Sequence, residues 1–235
     1  MVNTNKSIFA FTGHWVSDYD ARMQVVLPGY NLMHEIVASY LRVTLASTSS
    51  ILIIGAGTGM DILTLVDHGS RWQITGLEPS REMLQIAREK IESIHLPKRV
   101  RLECCRVEDF TDATLYDVAV LSLVLQLYPD YGSKRDLLRT VVRHLKPKGW
   151  IVLIDSYGEC ESSHFKQTVN ALKVRTMRSG FTEDEANKDI ESVKERFYLI
   201  PEKRIRSALS EAGFVCVEQI FRAFITGVWI GQLGD

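Results

Sequence analysis

The sequence predicts an α/β fold in which a mostly parallel sheet carries helices on both faces. Three observations predict it: an uninterrupted apolar run at residues 51–54 that leads into a glycine-rich turn, four later β-type runs that alternate with helical segments, and two adjacent β-type runs near the end of the chain. Uninterrupted apolar runs are typical of strands buried on both faces. Strands that alternate with helices indicate a doubly wound parallel sheet.

The glycine-rich turn is the clearest indication of a ligand site. Residues 51–59 read ILIIGAGTG, and a helix is predicted from Met60 to His68. Glycine has no Cβ, so the backbone can turn tightly and approach a ligand, and the helix that follows directs free N–H groups at it. The spacing is G-x-G-x-G, because the dinucleotide fingerprint G-x-G-x-x-G would need a glycine in place of Met60. A plain tight turn is the alternative interpretation.

A carboxylate ends the second predicted strand, residues 72–78. Glu78 lies at about the ~20-residue offset at which nucleotide-binding folds place an acid on the ribose hydroxyls. A carboxylate suits this role because it can accept hydrogen bonds from both hydroxyls of a diol. We therefore predict that Glu78 binds a ribose, with the adjacent Pro79 beside it, and the alternative is a surface acid at a strand end.

Composition narrows the class of protein. The 235 residues suit a single domain spanning 1–235, and the formal net charge of −1 gives no electrostatic argument for nucleic acid or an anionic membrane. No apolar run approaches the ~20 residues that span a bilayer, and the N-terminus does not resemble a signal peptide. The four cysteines have no metal-site spacing. Cys104 and Cys105 are predicted to face opposite sides of a strand, which indicates packing residues rather than a redox pair. From the spacing of the four cysteines we expect no metal site and a reducing, cytoplasmic location.

The chain before the first strand, residues 1–47, is predicted to form a loose arm followed by lid helices. Residues 1–17 form the arm, and Ser17 and Asp18 cap the first helix. A second helix runs from Pro28 to Ala46, with its apolar positions on one stripe. Two helices in this place suit a lid over the ligand loop, although they could simply cover the sheet.

The middle of the chain continues the alternation. Its predicted elements are a helix to about residue 94, an edge strand at 99–105, a central strand at 117–123, a helix at 134–145 and a fifth strand at 150–155. The edge assignment follows from alternating polar and apolar residues. The charged face of the helix at 134–145 is predicted to be solvated rather than to bind phosphate; its residues are Lys134, Arg135, Arg139 and Arg143.

After the fifth strand the pattern changes. Residues 157–200 are polar and predict a helical insertion, with helices at about 161–178 and 182–197, which covers the acceptor pocket. A helix at 202–212 and two β-type runs at 214–221 and 223–230 follow. The two runs have almost nothing between them, so they are predicted to form an antiparallel pair that closes the sheet.

This layout resembles the class I S-adenosylmethionine-dependent methyltransferases, whose motif I has the G-x-G-x-G order found at residues 55–59. The resemblance implies a Rossmann-like methyltransferase fold with a seven-stranded, mostly parallel sheet of order 3-2-1-4-5-7-6. It also implies S-adenosylmethionine as cofactor and S-adenosylhomocysteine as product. A nicotinamide-dependent oxidoreductase is disfavoured by Met60 and by the terminal strand pair.

A narrower resemblance covers roughly residues 18–231. Five segments are similar to the carboxy-S-adenosylmethionine synthases of tRNA wobble-uridine modification: LPGY at 27–30, the loop at 55–59, SLVLQLY at 122–128, KPKGW at 146–150 and SEAGF at 210–214. The resemblance implies that Tyr30 and Ser122 contact the cofactor. The full predicted cofactor set is Tyr30, Gly55, Ala56, Gly57, Gly59, Glu78, Pro79, Val107, Glu108 and Ser122.

Two departures from that subgroup favour ordinary S-adenosylmethionine. Where the synthases have an acid that holds adenine, this chain has Arg106, so the backbone of Val107 or the side chain of Glu108 is expected to take over. Where they have an arginine for the extra carboxylate, ungapped counting places Ile190. Lys188 and Arg196 are expected to point elsewhere, because they lie at different angles around the same helix.

The sequence therefore predicts methyl transfer from S-adenosylmethionine to a small-molecule acceptor, by a monomer or homodimer without nucleic-acid or membrane partners. No residue is assigned as a catalytic base. Asp155, Tyr157 and His164 lie at the ligand-facing edge, but each also has an ordinary structural interpretation. A carboxy-S-adenosylmethionine synthase and a non-catalytic S-adenosyl-binding protein remain alternatives.

Overall fold

The protein is described here by a computed structural model covering residues 18–68, 71–94 and 97–234, so the predicted arm at residues 1–17 lies outside the described residues. The strands are β1 (Ser50–Ile54), β2 (Gln73–Leu77), β3 (Val100–Glu103), β4 (Tyr116–Ser122), β5 (Leu145–Ser156), β6 (Phe214–Ala223) and β7 (Thr226–Leu233). The helices are α1 (Tyr19–Val26), α2 (Tyr30–Thr44), α3 (Met60–His68), α4 (Arg81–Ser93), α5 (Ser133–Val142), α6 (Ser163–Arg178), α7 (Glu183–Arg196) and α8 (Glu202–Glu211).

The strands form one sheet of order β3-β2-β1-β4-β5-β7-β6. Strand β1 pairs in parallel with β2 and β4, whereas β7 is antiparallel to both β5 and β6. The predicted Rossmann-like α/β fold, with its terminal antiparallel pair, is confirmed. The edge position of β3 and the central position of β4 also agree with their sequence patterns, since the residues of β3 stay partly exposed and those of β4 are nearly all buried.

The apolar run of β1 supplies two hydrophobic cores, because successive side chains of a strand point to opposite faces. Leu52 and Ile54 belong to the core that contains residues of α5 and α8. Ile51 and Ile53 belong to the core on the other face, with residues of α2 and α3. Helices therefore cover both faces of the sheet, and the carboxyl end of β1 is held between them.

The predicted helical insertion consists of α6 and α7. Ser162 caps α6, and Thr182 and Glu185 form a capping box at the start of α7. Gly180 lies between the helices with φ of +102°, a conformation that favours glycine. A small cluster built on Phe165, together with further residues of α6 and Ile225, packs the insertion against the β6–β7 turn. Among the described residues, no helix has the length and apolar character needed to cross a membrane.

The burial of Lys134 differs from the prediction that it lies on a solvated helix face. The helical pattern places it on the solvated face of α5, but its relative exposure is 0%. It lies in the first turn of α5, where its long side chain reaches back so that Nζ donates to the carbonyl of Leu125. Burial lowers the pKa of Lys134, and the neighbouring Asp155 opposes that shift.

Two boundaries also differ from the predictions. Helix α5 ends at Val142 and β5 already begins at Leu145, because Leu145 pairs with Tyr116 ahead of the turn around Lys148. Strand β3 ends at Glu103, so Cys104 and Cys105 follow the strand and do not form an alternating pair within it. Cys104 is exposed, and Cys105 is half-buried against the core.

Candidate active site

A cavity of about 520 Å³ lies at the carboxyl ends of the parallel strands. This is where open α/β sheets bind ligands, because the helices on either side of β1 diverge there. One part of its wall comes from the ends of β1, β2 and β4 and from the segment after β3, and the other part comes from α1, α6 and α7. The carboxyl ends of the strands and the helical insertion therefore enclose one common cavity.

The glycines of the loop after β1 have different roles. A Cβ on Gly55 would lie 2.4 Å from Cγ2 of Val124, and a Cβ on Gly59 would lie 3.1 Å from that of Ala87. These two glycines are required by packing. A Cβ on Gly57, whose φ is +51°, would meet nothing within 4 Å, and Gly57 lines the cavity. The backbone at Gly57 is thus open to a ligand, as a nucleoside cofactor requires.

Glu78 is held rigidly beside that loop. Its Oε2 accepts the N–H of Gly57 at 3.0 Å, and its Oε1 accepts the N–H of Ser80 at 2.8 Å. Glu78 is only 7% exposed, so it is not the surface acid of the alternative interpretation. Burial raises the pKa of this carboxyl, while the two backbone N–H groups lower it. Each oxygen keeps accepting capacity for a ribose hydroxyl.

The segment after β3 forms the next part of the wall. Arg106, Val107 and Glu108 all line the cavity, and Val107 is buried. The Glu108 carboxylate accepts the hydroxyl hydrogen of Tyr128 at 2.8 Å. An acid is therefore available at this end of the cavity although Arg106 occupies the position where the synthases have theirs.

The remaining predicted cofactor residues separate into two groups. Pro79 and Ser122 line the cavity. Three others are not among the residues that line it: Ala56, Gly59 and Tyr30. The N–H of Ala56 donates to the carbonyl of Leu77 at 2.9 Å, which joins the loop to β2. The Tyr30 ring packs edge-on against His34, 4.6 Å between ring centroids. Tyr19, from the preceding helix, lines the cavity instead.

The three residues considered as bases are not among the residues that line the cavity. Asp155 is fully buried beneath it, where its Oδ1 accepts the N–H of Gln126 at 3.0 Å. The Tyr157 ring is buried edge-on against Trp229, and His164 is exposed on α6. Their ordinary structural interpretations therefore fit the geometry better.

The structure brings other residues to the cavity. Gln126 lines it from the loop after β4, and its only sequence signal was its place in the segment SLVLQLY. Ile190 lines it as well. Arg196 also does, so the expectation that it points elsewhere is wrong: the cavity-lining residues of α7 run from Ala186 to Arg196, so a broad face along the length of the helix borders the cavity.

Helix α1 is attached to both parts of the wall. Asp20 accepts a hydrogen bond from the Thr58 hydroxyl in the glycine loop and pairs with Lys90 of α4. Arg22 pairs with Asp189 of α7, and Arg175 of α6 donates to the carbonyl of Val25. This geometry agrees with the predicted lid.

One protein family and several curated relatives match this chain. Residues 52–151 match the family described as "Methyltransferase domain". The match covers 100 of the 235 residues, so it places a methyltransferase domain at the glycine loop and the strands that follow it. This methyltransferase domain is similar to a carboxy-S-adenosyl-L-methionine synthase from Hydrogenovibrio crunogenus, with 25% identity over 226 residues that cover 92% of this chain and 86% of the relative. The resemblance stated from the sequence is thereby confirmed.

Solved structures show the same fold. The methyltransferase domain superposes on the plantazolicin methyltransferase BpumL in complex with SAH with a TM-score of 0.66 and 15% identity, covering 93% of this chain and 88% of that one. The apo form of the S-adenosylmethionine-dependent methyltransferase SibL also matches, with a TM-score of 0.66 and 16% identity. That match covers 92% of this chain but 57% of the longer SibL chain.

Proposed function

We propose that this methyltransferase binds S-adenosylmethionine across the ends of β1, β2 and β4 and transfers its methyl group to a small-molecule acceptor held beneath α1, α6 and α7. The observation that carries the proposal is the common cavity, which joins the glycine loop and Glu78 to the helical insertion. Its volume of about 520 Å³ lies in the usual range of ~300–1,000 Å³ for small-molecule sites.

The residues on the cofactor side fit the parts of the nucleoside. Glu78 binds the ribose hydroxyls, and the open backbone at Gly57 permits close approach. Glu108, next to Val107, is the acceptor available to the adenine amino group. Ser122, at the end of β4, also lines the cavity. The proposed cofactor side therefore retains the cavity-lining members of the predicted set.

Methyl transfer makes few chemical demands on the chain. When bound, S-adenosylmethionine supplies a sulfonium whose methyl group is electrophilic. The protein then contributes proximity and alignment, since an in-line displacement depends on the orientation of the two reactants. A wall containing the apolar side chains of Leu172, Val193 and Ile225 favours the displacement of water when the two reactants bind. A base is needed only for an acceptor that must first lose a proton.

The proposed location is the cytoplasm, within a single domain. The support is indirect: all four cysteines are free, as expected of a reducing compartment. Helices α6 and α7 pack on the β6–β7 turn and line the same cavity as the sheet edge, which supports treating residues 157–200 as an insertion in one domain.

Glu78→Ala is expected to weaken S-adenosylhomocysteine by ~1.5–3 kcal/mol, the range for hydrogen bonds to a charged group. Calorimetry measures the affinity. The sequence alone predicts little loss of stability, because the residue ends a strand. The structure changes that expectation, since the substitution leaves the N–H groups of Gly57 and Ser80 without their acceptor. A lower unfolding midpoint is therefore expected as well.

Two further variants make the Glu78 result interpretable. Glu78→Gln keeps the size of the side chain and one accepting oxygen, so it should recover part of the stability but not the full affinity. Glu89→Ala removes an exposed acid from α4 and serves as the matched control. Unchanged affinity in Glu78→Ala would show that the ribose assignment is wrong.

A carboxy-S-adenosylmethionine synthase is the second candidate, because a relative of that name matches most of the chain. A carboxylate beside the sulfonium needs a paired cation when buried. Ile190 supplies none, and Arg196, although on the wall, already has an interaction partner. Burial raises the pKa of Asp189, and the nearby Arg22 and Arg196 oppose that rise. We therefore expect the purified protein to carry S-adenosylmethionine or S-adenosylhomocysteine.

Mass spectrometry of the nucleoside released from purified protein tests this expectation. Recovery of the carboxylated form would support the synthase instead. In that case Arg196→Met should reduce the recovered amount if Arg196 holds the carboxylate. The exposed Arg178→Met serves as the control for loss of a positive charge from the insertion.

A further inference from the structure

We infer that the methyl acceptor is an uncharged, largely apolar molecule that presents an oxygen to the side-chain amide of Gln126. This inference rests on the proposed function, because it assigns the part of the cavity that the cofactor does not use. Three features carry it: the apolar wall of the insertion, the pairing of the charges in that wall, and one directed hydrogen-bond donor.

The wall that the insertion contributes is apolar. Its apolar members come from α6, α7 and the β6–β7 turn, and they are Phe165, Val169, Leu172, Ile190, Val193 and Ile225. The same residues belong to one hydrophobic cluster. Burying apolar surface is worth roughly 25 cal/mol per Å². A ligand that covers this wall with rings or alkyl groups therefore gains affinity, whereas a strongly hydrated ligand loses it.

The charged side chains of this wall are engaged with one another. Arg22 pairs with Asp189, and Lys173 pairs with Glu183 at 2.7 Å. Arg196 also has an interaction partner. Arg106 lines the cavity from the segment after β3, next to Val107, in the part of the wall proposed for the cofactor. An anionic acceptor would have to break an existing pair to gain a counter-ion, and a buried charge without one is costly.

Gln126 supplies the directed donor. It is 4% exposed and lines the cavity. Its Oε1 accepts the N–H of Ser156 at 3.0 Å, which fixes the orientation of the amide and assigns both remaining N–H donors to Nε2. Among the residues that the structure describes, none accepts a hydrogen bond from Nε2. Nε2 is not among the buried polar atoms that lack a partner, so it is reachable from the cavity. A ligand that covers this donor and displaces its water must supply an acceptor, and an oxygen of the methyl acceptor fits it.

The backbone around Gln126 is held on several sides. Its N–H donates to Asp155 and its carbonyl accepts the N–H of Tyr198 at 2.7 Å. The preceding carbonyl, of Leu125, accepts from buried Lys134. The donor is therefore preorganised, and a preorganised donor favours one acceptor position over others.

Three probes that share one aromatic ring separate the contributions of apolar contact, of the hydrogen bond and of negative charge. They are ethylbenzene, 4-ethylphenol and the anion 4-ethylbenzoate. Their binding to the complex with S-adenosylhomocysteine is measured by ligand-observed NMR. We expect 4-ethylphenol to bind more tightly than ethylbenzene, and both more tightly than 4-ethylbenzoate. Gln126→Leu should weaken 4-ethylphenol roughly two- to tenfold, the contribution of one neutral hydrogen bond, and leave ethylbenzene unchanged.

Further variants separate binding from folding. Gln126→Glu keeps an oxygen for the Ser156 N–H but removes the donor, so it should also lose the preference for 4-ethylphenol. Val169→Asp places a charge on the apolar wall and should weaken every uncharged probe. Val174→Asp, at an exposed position of the same helix, is the matched control and should change nothing.

The outcomes distinguish this inference from the proposed function. If S-adenosylhomocysteine binds while 4-ethylbenzoate binds best or no probe binds, the inference about the acceptor is overturned and the proposed function stands. If Gln126→Leu weakens ethylbenzene and 4-ethylphenol equally, Gln126 is not the donor and the inference fails. If S-adenosylhomocysteine itself does not bind, the proposed function fails and this inference with it.

Discussion

Gly57→Val is expected to abolish binding of S-adenosylhomocysteine in a protein that remains folded. The Cβ position at Gly57 is free of protein atoms within 4 Å, so a valine side chain would extend into the cavity and occupy the space proposed for the cofactor. The positive φ of +51° adds strain, about 1–2 kcal/mol for a residue with a Cβ in the left-handed region. Calorimetry and thermal unfolding measure the two effects separately.

Gly180→Val is the matched control for Gly57→Val. Gly180 also has a positive φ and open space at its Cβ, but it lies in the turn between α6 and α7 and is not among the residues that line the cavity. Both variants should lose some stability, and only Gly57→Val should lose the ligand. Affinity retained within a few-fold in folded Gly57→Val would contradict the proposed path of the cofactor.

Lys134→Met is expected to destabilise the protein by up to about 3–5 kcal/mol, the cost of removing one charge from a buried ion pair, since Lys134 and Asp155 interact electrostatically without a direct contact. Lys134 and Asp155 both have 0% exposure. Burial raises the pKa of Asp155, and Lys134 opposes that rise. Asp155 accepts the Gln126 N–H on Oδ1, and its Oδ2 has no hydrogen-bond partner even with Lys134 present. Without the lysine, the carboxylate also loses the nearby positive charge that opposes the rise of its pKa. Chemical denaturation measures the loss.

The pH dependence gives this prediction a second readout. A carboxyl group whose folded pKa is raised contributes most stability below its unfolded pKa and loses that contribution as pH rises through the folded value. The deficit of Lys134→Met should therefore be smaller at about pH 5 than at about pH 8, because Asp155 becomes protonated in the folded state. A deficit independent of pH would show that the buried charge is not its cause.

Two variants complete the comparison for Lys134. Replacing both partners, as Lys134→Met with Asp155→Leu, should recover much of the lost stability, since no uncompensated charge remains. Arg135→Met changes the adjacent residue, which is partly exposed, and should cost little. An equal loss in Arg135→Met and Lys134→Met would mean that the helix itself, rather than the buried pair, had been damaged.

The parts of the fold that the sequence predicts are those with local causes. The run at residues 51–54 is apolar at every position because β1 is buried on both faces. The glycine turn and Glu78 follow at fixed offsets, since the turn and the next strand end meet at one edge of a parallel sheet. The terminal antiparallel pair was recognisable because almost nothing separates its two strands.

The parts that sequence reasoning missed depend on contacts between distant segments. Lys134 has an ordinary place on the charged face of α5, and its burial follows from Leu125 and from Asp155, 21 residues further along the chain. The role proposed for Gln126 depends on the hydrogen bond that its side chain accepts from the N–H of Ser156, 30 residues further along the chain. Arg196 was assigned by its angle from Ile190 alone, which does not account for a cavity that borders a broad face along the whole of α7.

The attachment of α1 to both parts of the cavity wall bears on the kinetics of turnover. Asp20 holds the glycine loop and Lys90, and Arg22, two residues further on, holds Asp189 of the insertion. Because Asp20 and Arg22 are close together on α1, a movement of the helix that breaks the contacts of one is expected to weaken those of the other. The nucleoside product and the methylated product are therefore expected to depart through one shared opening event, whose rate should rise with ionic strength because an ion pair attaches the helix to each part of the wall.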